Sequence, residues 1–431
     1  MQTQLSPEFA NTPEGEDAAA ILRKCVHCGF CNATCPTYQV LGDELDGPRG
    51  RIYLIKQMLE GGEVTRSTQQ HLDRCLTCLN CQTTCPSGVA YGRLVDIGRT
   101  LVEARVERPL AERATRWLLK QGLTSRLFAP AMRLGRFLRP VLPKTIRDKV
   151  PAGRNGLTER LAHAAPPVLA NDAVPARRKV LMLQGCVQPS MMPNIDRATV
   201  RVLEAGGIET VHAGGTGCCG ALRTHLNDHA GGIADMKRNV DAWDPLLASG
   251  EVQAIISSAT ACSLCIKDYG HALARDPKYA QRAARISALA RDLSELLPDL
   301  TPVLKGRLRT KDAGRAAFHA PCTLQHGQGL RGGVEMHLRA LGFDLAAACE
   351  ESHLCCGSAG AYSVLQPQLA AQLRDRKLRN LLALEPQFIL SANIGCLSHL
   401  QAGTKIPVKH WIEAVDEALD RGIAPGSQAG S

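Results

Sequence analysis

The chain has 431 residues, more than one compact core holds, so roughly two to four domains are expected. Hydrophobic residues make up 45% and charged residues 21%, which excludes a disordered chain, and aromatics at 4% leave the cores to Leu, Val, Ala and Ile. The net charge of +10 is local, because residues 105–179 hold 17 Lys/Arg against 5 Asp/Glu and the rest sums to about −2. No apolar run approaches bilayer length, so no membrane span is expected. The 18 cysteines do not read as a secreted disulfide scaffold. The chain is long, its opening MQTQLSPEFANTPEGEDAAA is polar without a signal-peptide stretch, and the cysteines cluster in CxxC patterns. A cytoplasmic location is expected.

Residues 1–17 read as a polar tail. Residues 18–104 hold eight cysteines in two runs. The first is Cys25-Val-His-Cys28-Gly-Phe-Cys31-Asn-Ala-Thr-Cys35-Pro36, and the second is Cys75-Leu-Thr-Cys78-Leu-Asn-Cys81-Gln-Thr-Thr-Cys85-Pro86. Both are C-x2-C-x2-C-x3-C-P, the spacing of a two-cluster ferredoxin-type module. Three thiolates two residues apart wrap one iron–sulfur cube, and the fourth, turned away before its proline, reaches the other. The spacing therefore predicts crossed sets: Cys25, Cys28, Cys31 and Cys85 on one [4Fe–4S] cluster, and Cys75, Cys78, Cys81 and Cys35 on the second. Zinc, usually held by two CxxC pairs, fits a duplicated four-cysteine run poorly. Gly29 is expected to let backbone amides approach the first cluster. RGRIYLIKQMLEGG between the runs and VAYGRLVDIGRTLVEARVE after them read as amphipathic helices, the first closed by Gly61–Gly62.

Residues 105–178 carry the basic excess. RATRWLLKQGLTSRLFAPAMRLGRFLRPVLP interleaves Arg and Lys with Trp117, Leu118, Phe128, Leu134 and Phe137, which as helices gives one basic and one apolar face. Such a face suits peripheral contact with an anionic membrane surface, or packing on the chain's own domains or a partner subunit, and both readings stay open. Proline-broken and without a recognised binding fold, it is not expected to hold nucleic acid. NGLTERLAHAAPPVLANDAVPARRK reads as an interdomain linker.

From residue 179 the chain repeats itself, over 179–305 and 306–420, before a short tail at 421–431. Cys186, the Cys218–Cys219–Gly220 triplet and Cys262 recur as Cys322, Cys355–Cys356–Gly357 and Cys396, at offsets of 136, 137 and 134 residues. Short apolar strands such as VLMLQG and AIISSA alternate with helical patterns, predicting α/β repeats with parallel sheets whose cysteines sit at the carboxyl edge. Adjacent cysteines diverge, which suits two irons of a cluster better than one ion. Gly220 and Gly357 are expected to let backbone approach it. The rival is a pair of repeats whose cysteines are empty, buried or redox-active. Cys265 extends the first copy to CxxC and is an extra candidate ligand, whereas the second copy has His399 there. Cys349 reads as a core residue, and His71, His353 and His399 as hydrogen-bonded structural histidines.

The pattern C…CCG…C, given twice, resembles the cysteine-rich CCG domains of heterodisulfide reductase-type proteins. Together with CVHCGFCNATCPTYQVLGDELDGPRGRIYLIKQ, HLDRCLTCLNCQTTCPSGV and SHLCCGSAG, it resembles the iron–sulfur subunits of glycolate oxidase (glycolate dehydrogenase) complexes across nearly the whole chain. The fold class implied is α+β multidomain: a helical two-[4Fe–4S] module followed by two tandem α/β CCG repeats. The resemblance implies further cluster ligands at Cys186, Cys218, Cys219 and Cys262, and at Cys322, Cys355, Cys356 and Cys396, with one or two additional clusters. It also implies a flavin-binding partner subunit that oxidises glycolate to glyoxylate, and delivery of electrons to a quinone or other acceptor. No flavin or nicotinamide fingerprint is present, since GGTGCCG and GLRGGVE match neither G-x-G-x-x-G nor a P-loop. The alternatives are the iron–sulfur subunit of a D-lactate or anaerobic glycerol-3-phosphate dehydrogenase, a disulfide-reducing CCG protein, and a structural metal-binding subunit.

Overall fold

The computed structural model describes residues 1–125, 127–141 and 178–419. The interdomain linker read from the sequence lies outside them except for its last two residues, and the 421–431 tail lies outside them entirely.

The N-terminal third is helical. Helices Pro13–Lys24, Pro48–Leu59, Arg66–Asp73 and Tyr91–Arg105 pack around Leu22, Ile55, Met58, Leu59, Leu72 and Leu94. Thr12 and Thr65 cap two of them by accepting from Gly15 N and Thr68 N. Pro48–Leu59 closes as expected, with Gly61 at φ 89° and the Gly62 amide donating to Gln57 O at 2.8 Å. The opening residues are not a free tail. Phe9 is 5% exposed inside this core, and the Ser6 amide donates to Leu59 O. One buried aromatic in a polar stretch is enough to dock it, and composition does not report this.

The two cysteine runs are held together by Asp46. Its carboxylate meets Arg51 at 3.5 Å, His71 Nδ1 at 3.1 Å and Arg74 at 2.8 Å. Arg51, 1% exposed, also donates to His71 O at 2.7 Å. This network ties the segment after the first run to the helix before the second.

The basic region forms helices Leu110–Thr124 and Phe128–Phe137. Their polar side is fastened to the chain: Arg116 pairs with Asp73, Lys120 with Asp228, and Arg136 donates to Ser190 O and Met191 O. Their apolar side stays outward, with Trp117, Leu118, Leu134 and Phe137 between 59% and 81% exposed. No helix among the described residues is long and apolar enough to cross a membrane.

The last two thirds are two parallel-sheet repeats. In the first, β1 (Arg178–Met182), β2 (Ile208–Val211), β3 (Ile255–Ser257) and β4 (Ala290–Asp292) run in the order β2-β1-β3-β4. In the second, β5 (Ala316–Phe318), β6 (Phe388–Ser391) and β7 (Val408–His410) run β5-β6-β7, and a parallel bridge from Ala316 to Leu345 stands where β2 would be. Every pairing in both sheets is parallel. Matching capping boxes follow β4 (Asp292 and Glu295) and β7 (His410 and Glu413). The repeats share one core, in which Val180, Met182 and Ile256 meet Phe318, Ile389 and Trp411. Arg201 of the first repeat forks onto Asp416 of the second.

Asp46→Ala leaves Arg51 charged and buried with its carboxylate gone. The expected loss is roughly 3–5 kcal/mol of stability, read by denaturant unfolding of the anaerobically purified protein.

Candidate metal centres

Each ferredoxin-type run begins with a turn of the same unusual backbone. Residues three and five of the run are left-handed: His27 (φ 56°) and Gly29 (φ 84°) in the first, Thr77 (φ 50°) and Leu79 (φ 60°) in the second. Left-handed residues interleaved in this way turn successive N–H groups inward, a concavity suited to an anion. Three of these four residues carry a side chain, and such strain persists where the surroundings enforce it. Short helices Phe30–Ala33 and Asn80–Thr84 then place Cys31 and Cys81.

Two adjacent cavities result. One gathers Cys25, Cys28, Cys31 and Cys85, and Cys81 forms part of its wall. The other gathers Cys35, Cys75, Cys78 and Cys81. Burial pushes the Cys31 thiol up to about 11 and holds Cys78 and Cys81 well above the usual thiol range. Thiols in such places ionise only beside a cation. Four converging sulfurs, inward amides and a cavity for each set fit an iron–sulfur cluster.

In the first repeat, Cys186 follows β1, the Cys218–Cys219 pair lies on the loop after β2, and Cys262 and Cys265 lie on helix Thr260–Lys267 after β3. All five sulfurs come together. Cys186 Sγ is 3.5 Å from Cys218 Sγ and donates to it, which favours Cys218 as the thiolate of the pair, while Cys219 lies against Cys218, Cys262 and Cys265. Asn239 Nδ2 on Cys218 O and the Tyr269 hydroxyl on Cys219 O, both at 2.8 Å, pin the vicinal pair. In the second repeat, Cys322 lies against Cys355, and Cys356 against Cys355 and Cys396, all of them buried.

The glycines of the two triplets do more than was expected of them. Gly357 (φ +87°) does bring its amide to Cys355 Sγ at 3.4 Å, but its missing side chain faces the other way. A Cβ there would stand 2.6 Å from Ala370 O, on helix Pro367–Leu382. Gly220 (φ +99°) meets Gly232 O in the same manner.

Cys349 lies in the shared core, His71 is paired with Asp46, and His399 Nε2 is 3.0 Å from Ala370 O. The sequence reading missed two features. His319, 2% exposed, places a ring nitrogen within 4.8 Å of both Cys356 Sγ and Cys396 Sγ. Its signal was available, since the matching position of the first repeat is Leu183. The second feature is that Leu76 and Cys78 of the ferredoxin-type module pack against Cys322, Cys355 and Tyr362 in one apolar cluster.

A helical module with paired four-cysteine cavities, followed by two parallel-sheet repeats that each gather a CCG loop, defines a multidomain iron–sulfur protein. Residues 21–89 match the 4Fe-4S dicluster domain, which binds two [4Fe–4S] clusters, and residues 180–267 and 316–401 each match the cysteine-rich CCG domain. The chain is 50% identical over 426 residues to the glycolate oxidase iron-sulfur subunit of Escherichia coli (strain K12), covering 98% of this chain and 100% of that protein. It is 28% identical over 418 residues to a probable glycolate oxidase iron-sulfur subunit of Bacillus subtilis (strain 168), covering 93% and 92%. It is 26% identical over 252 residues to lactate utilization protein A of Geobacillus thermodenitrificans (strain NG80-2), covering 55% of this chain and 98% of that protein. The chain belongs to the family of glycolate oxidase iron–sulfur subunits.

Two glycines of the second CCG loop separate backbone strain from steric conflict. Gly360 is left-handed with open space around it, so Gly360→Ala should cost about 1 kcal/mol. Gly357→Ala adds the clash with Ala370 and should cost a further ~1–3 kcal/mol, with both values read from urea unfolding.

Proposed function

We propose that this chain carries electrons within a glycolate-oxidising complex, from a flavin subunit that converts glycolate to glyoxylate towards a quinone or other acceptor. When bound, iron–sulfur clusters supply one-electron transfer, and the protein sets their order and potentials. In this reading Cys25, Cys28, Cys31 and Cys85 ligate the first cluster, and Cys75, Cys78, Cys81 and Cys35 the second. The observation that carries the reading is the continuity of sulfur through the interior. Cys81 walls both ferredoxin-type cavities, and Cys78 packs with Cys322 and Cys355 of the second repeat. The first cavity is the outward one: Cys28 is exposed, and Val26 and Phe30 beside it are 68% and 61% exposed. That face suits the docking of a flavin subunit, and the substrate is handled there rather than on this chain.

Residues 18–104 are accordingly the two-cluster module and 105–178 the basic link. Residues 179–305 and 306–420 are the two CCG repeats, at least one of which holds a further cluster through Cys186, Cys218, Cys219 and Cys262, or Cys322, Cys355, Cys356 and Cys396. We place the protein on the cytoplasmic side, with the apolar faces of helices Leu110–Thr124 and Phe128–Phe137 against the membrane surface or a partner subunit. The chain should float with anionic vesicles where this face meets the membrane. Binding only to the flavin subunit would assign the face to that partner.

Likeness over 55% of the chain to lactate utilization protein A supports a second reading, service to a lactate-oxidising flavoprotein. The assembled complex should reduce an artificial acceptor with glycolate at a rate that D-lactate and glycerol 3-phosphate do not reach. Cys78→Ser should abolish that flow while leaving glycolate oxidation at the flavin measurable. A Cys78→Ser complex with full electron transfer would refute the route. The anaerobically purified chain should hold more than about 8 irons, the content of two four-iron clusters alone.

A further inference from the structure

His319 is a buried imidazole beside the second repeat's sulfurs, and its hydrogen bonds fix which nitrogen is free. The Ser391 hydroxyl has one proton and donates it to His319 O at 2.9 Å. At the 3.0 Å contact between His319 Nδ1 and Ser391 Oγ, the ring must therefore donate. A neutral imidazole with its proton on Nδ1 carries its lone pair on Nε2. That Nε2 is buried and has no hydrogen-bond partner. An acceptor left unpaired in the interior is costly, and the first repeat avoids the cost by having Leu183 at this position. Nor does His399, which aligns with Cys265, fill the gap, because its Nε2 is directed at Ala370 O.

We propose that His319 Nε2 is a ligand of the second repeat's centre, the fifth donor beside Cys322, Cys355, Cys356 and Cys396. The first repeat gathers a fifth sulfur, Cys265; the second gathers a nitrogen. An imidazole whose other N–H is anchored to a fixed oxygen is the usual arrangement of a metal-bound histidine. A neutral nitrogen in place of a thiolate leaves the centre one negative charge poorer, which makes it easier to reduce. The proposal rests on the reading that the second repeat holds an iron–sulfur cluster.

The full chain, purified anaerobically with 15N-histidine and with natural-abundance histidine, is the material for the test. Pulsed EPR should show a strongly coupled histidine nitrogen in the wild-type protein, without recourse to any variant. His319→Gln should lose that coupling. His319→Cys should also lose it, keep the iron, and shift the midpoint potential of the centre downward. Coupling that is absent from the wild type, or that survives in His319→Gln, would overturn the assignment while the cluster itself stands. Iron content unchanged by Cys356→Ser, or zinc in place of iron, would remove the cluster from the second repeat and the ligand with it.

Discussion

A cluster binds thiolate, and a thiolate in an apolar interior is unstable without a cation beside it. Both ferredoxin-type cavities are arranged around this constraint. Burial keeps Cys31, Cys78 and Cys81 from ionising on their own, so their charge appears only together with the metal that uses it. The backbone then has to supply dipoles to a centre that remains anionic, which is what the left-handed residues at His27, Gly29, Thr77 and Leu79 achieve. Such turns do not hold themselves. The Asp46 network fixes the chain between them, and the helices Pro48–Leu59 and Tyr91–Arg105 clamp the result.

The CCG repeats gather their cysteines on a different scaffold. A parallel sheet sends the ends of its strands to one edge, and loops from three positions on that edge converge there. A vicinal cysteine pair can be gathered with cysteines from two other loops only if its own loop is held tightly. Helix Pro367–Leu382 therefore presses on Gly357, and helix His229–Ala248 on Gly220. Duplication doubled this scaffold, and the two copies then diverged in their donors. The shared core between the repeats prevents them from separating, so the second site stays against the ferredoxin-type module.

Much of this was legible in the sequence. The run spacing divides the eight module cysteines much as the two cavities gather them, except that Cys81 lines both, and the copies of the repeat follow one another at a near-constant offset. Helix Pro48–Leu59 and strands β1, β3, β5 and β6 follow from local apolar pattern and glycine punctuation. What was not legible depends on distance in the chain. Phe9 docks on a core that joins its own following helix to residues more than forty positions later, and nothing in its neighbours announces this. β7 is three residues long and takes its register from β6. His319 stands out in sequence only as the counterpart of Leu183, and its neighbours from β6 and the following helix are what reveal an unpaired nitrogen.

The placement of the module on the second repeat, not the first, is the step no local pattern could supply. Thr83 meets His326 at 2.9 Å, and Asn80 donates to His353 O at 3.2 Å, so the helix carrying Cys81 is bonded directly to the second repeat. The first repeat touches the module elsewhere, through Thr100 on His229 and Asn227 on Glu103, away from the cysteine runs. Cys78 packs directly on Cys322 and Cys355, so the second repeat lies nearer to the module's cysteines. The first repeat instead holds the basic helices, through Asp228 on Lys120 and the Ser190 and Met191 carbonyls on Arg136. Two related folds thus acquire different neighbours, and the difference comes from which surface each presents to the module rather than from the parallel-sheet scaffold they share.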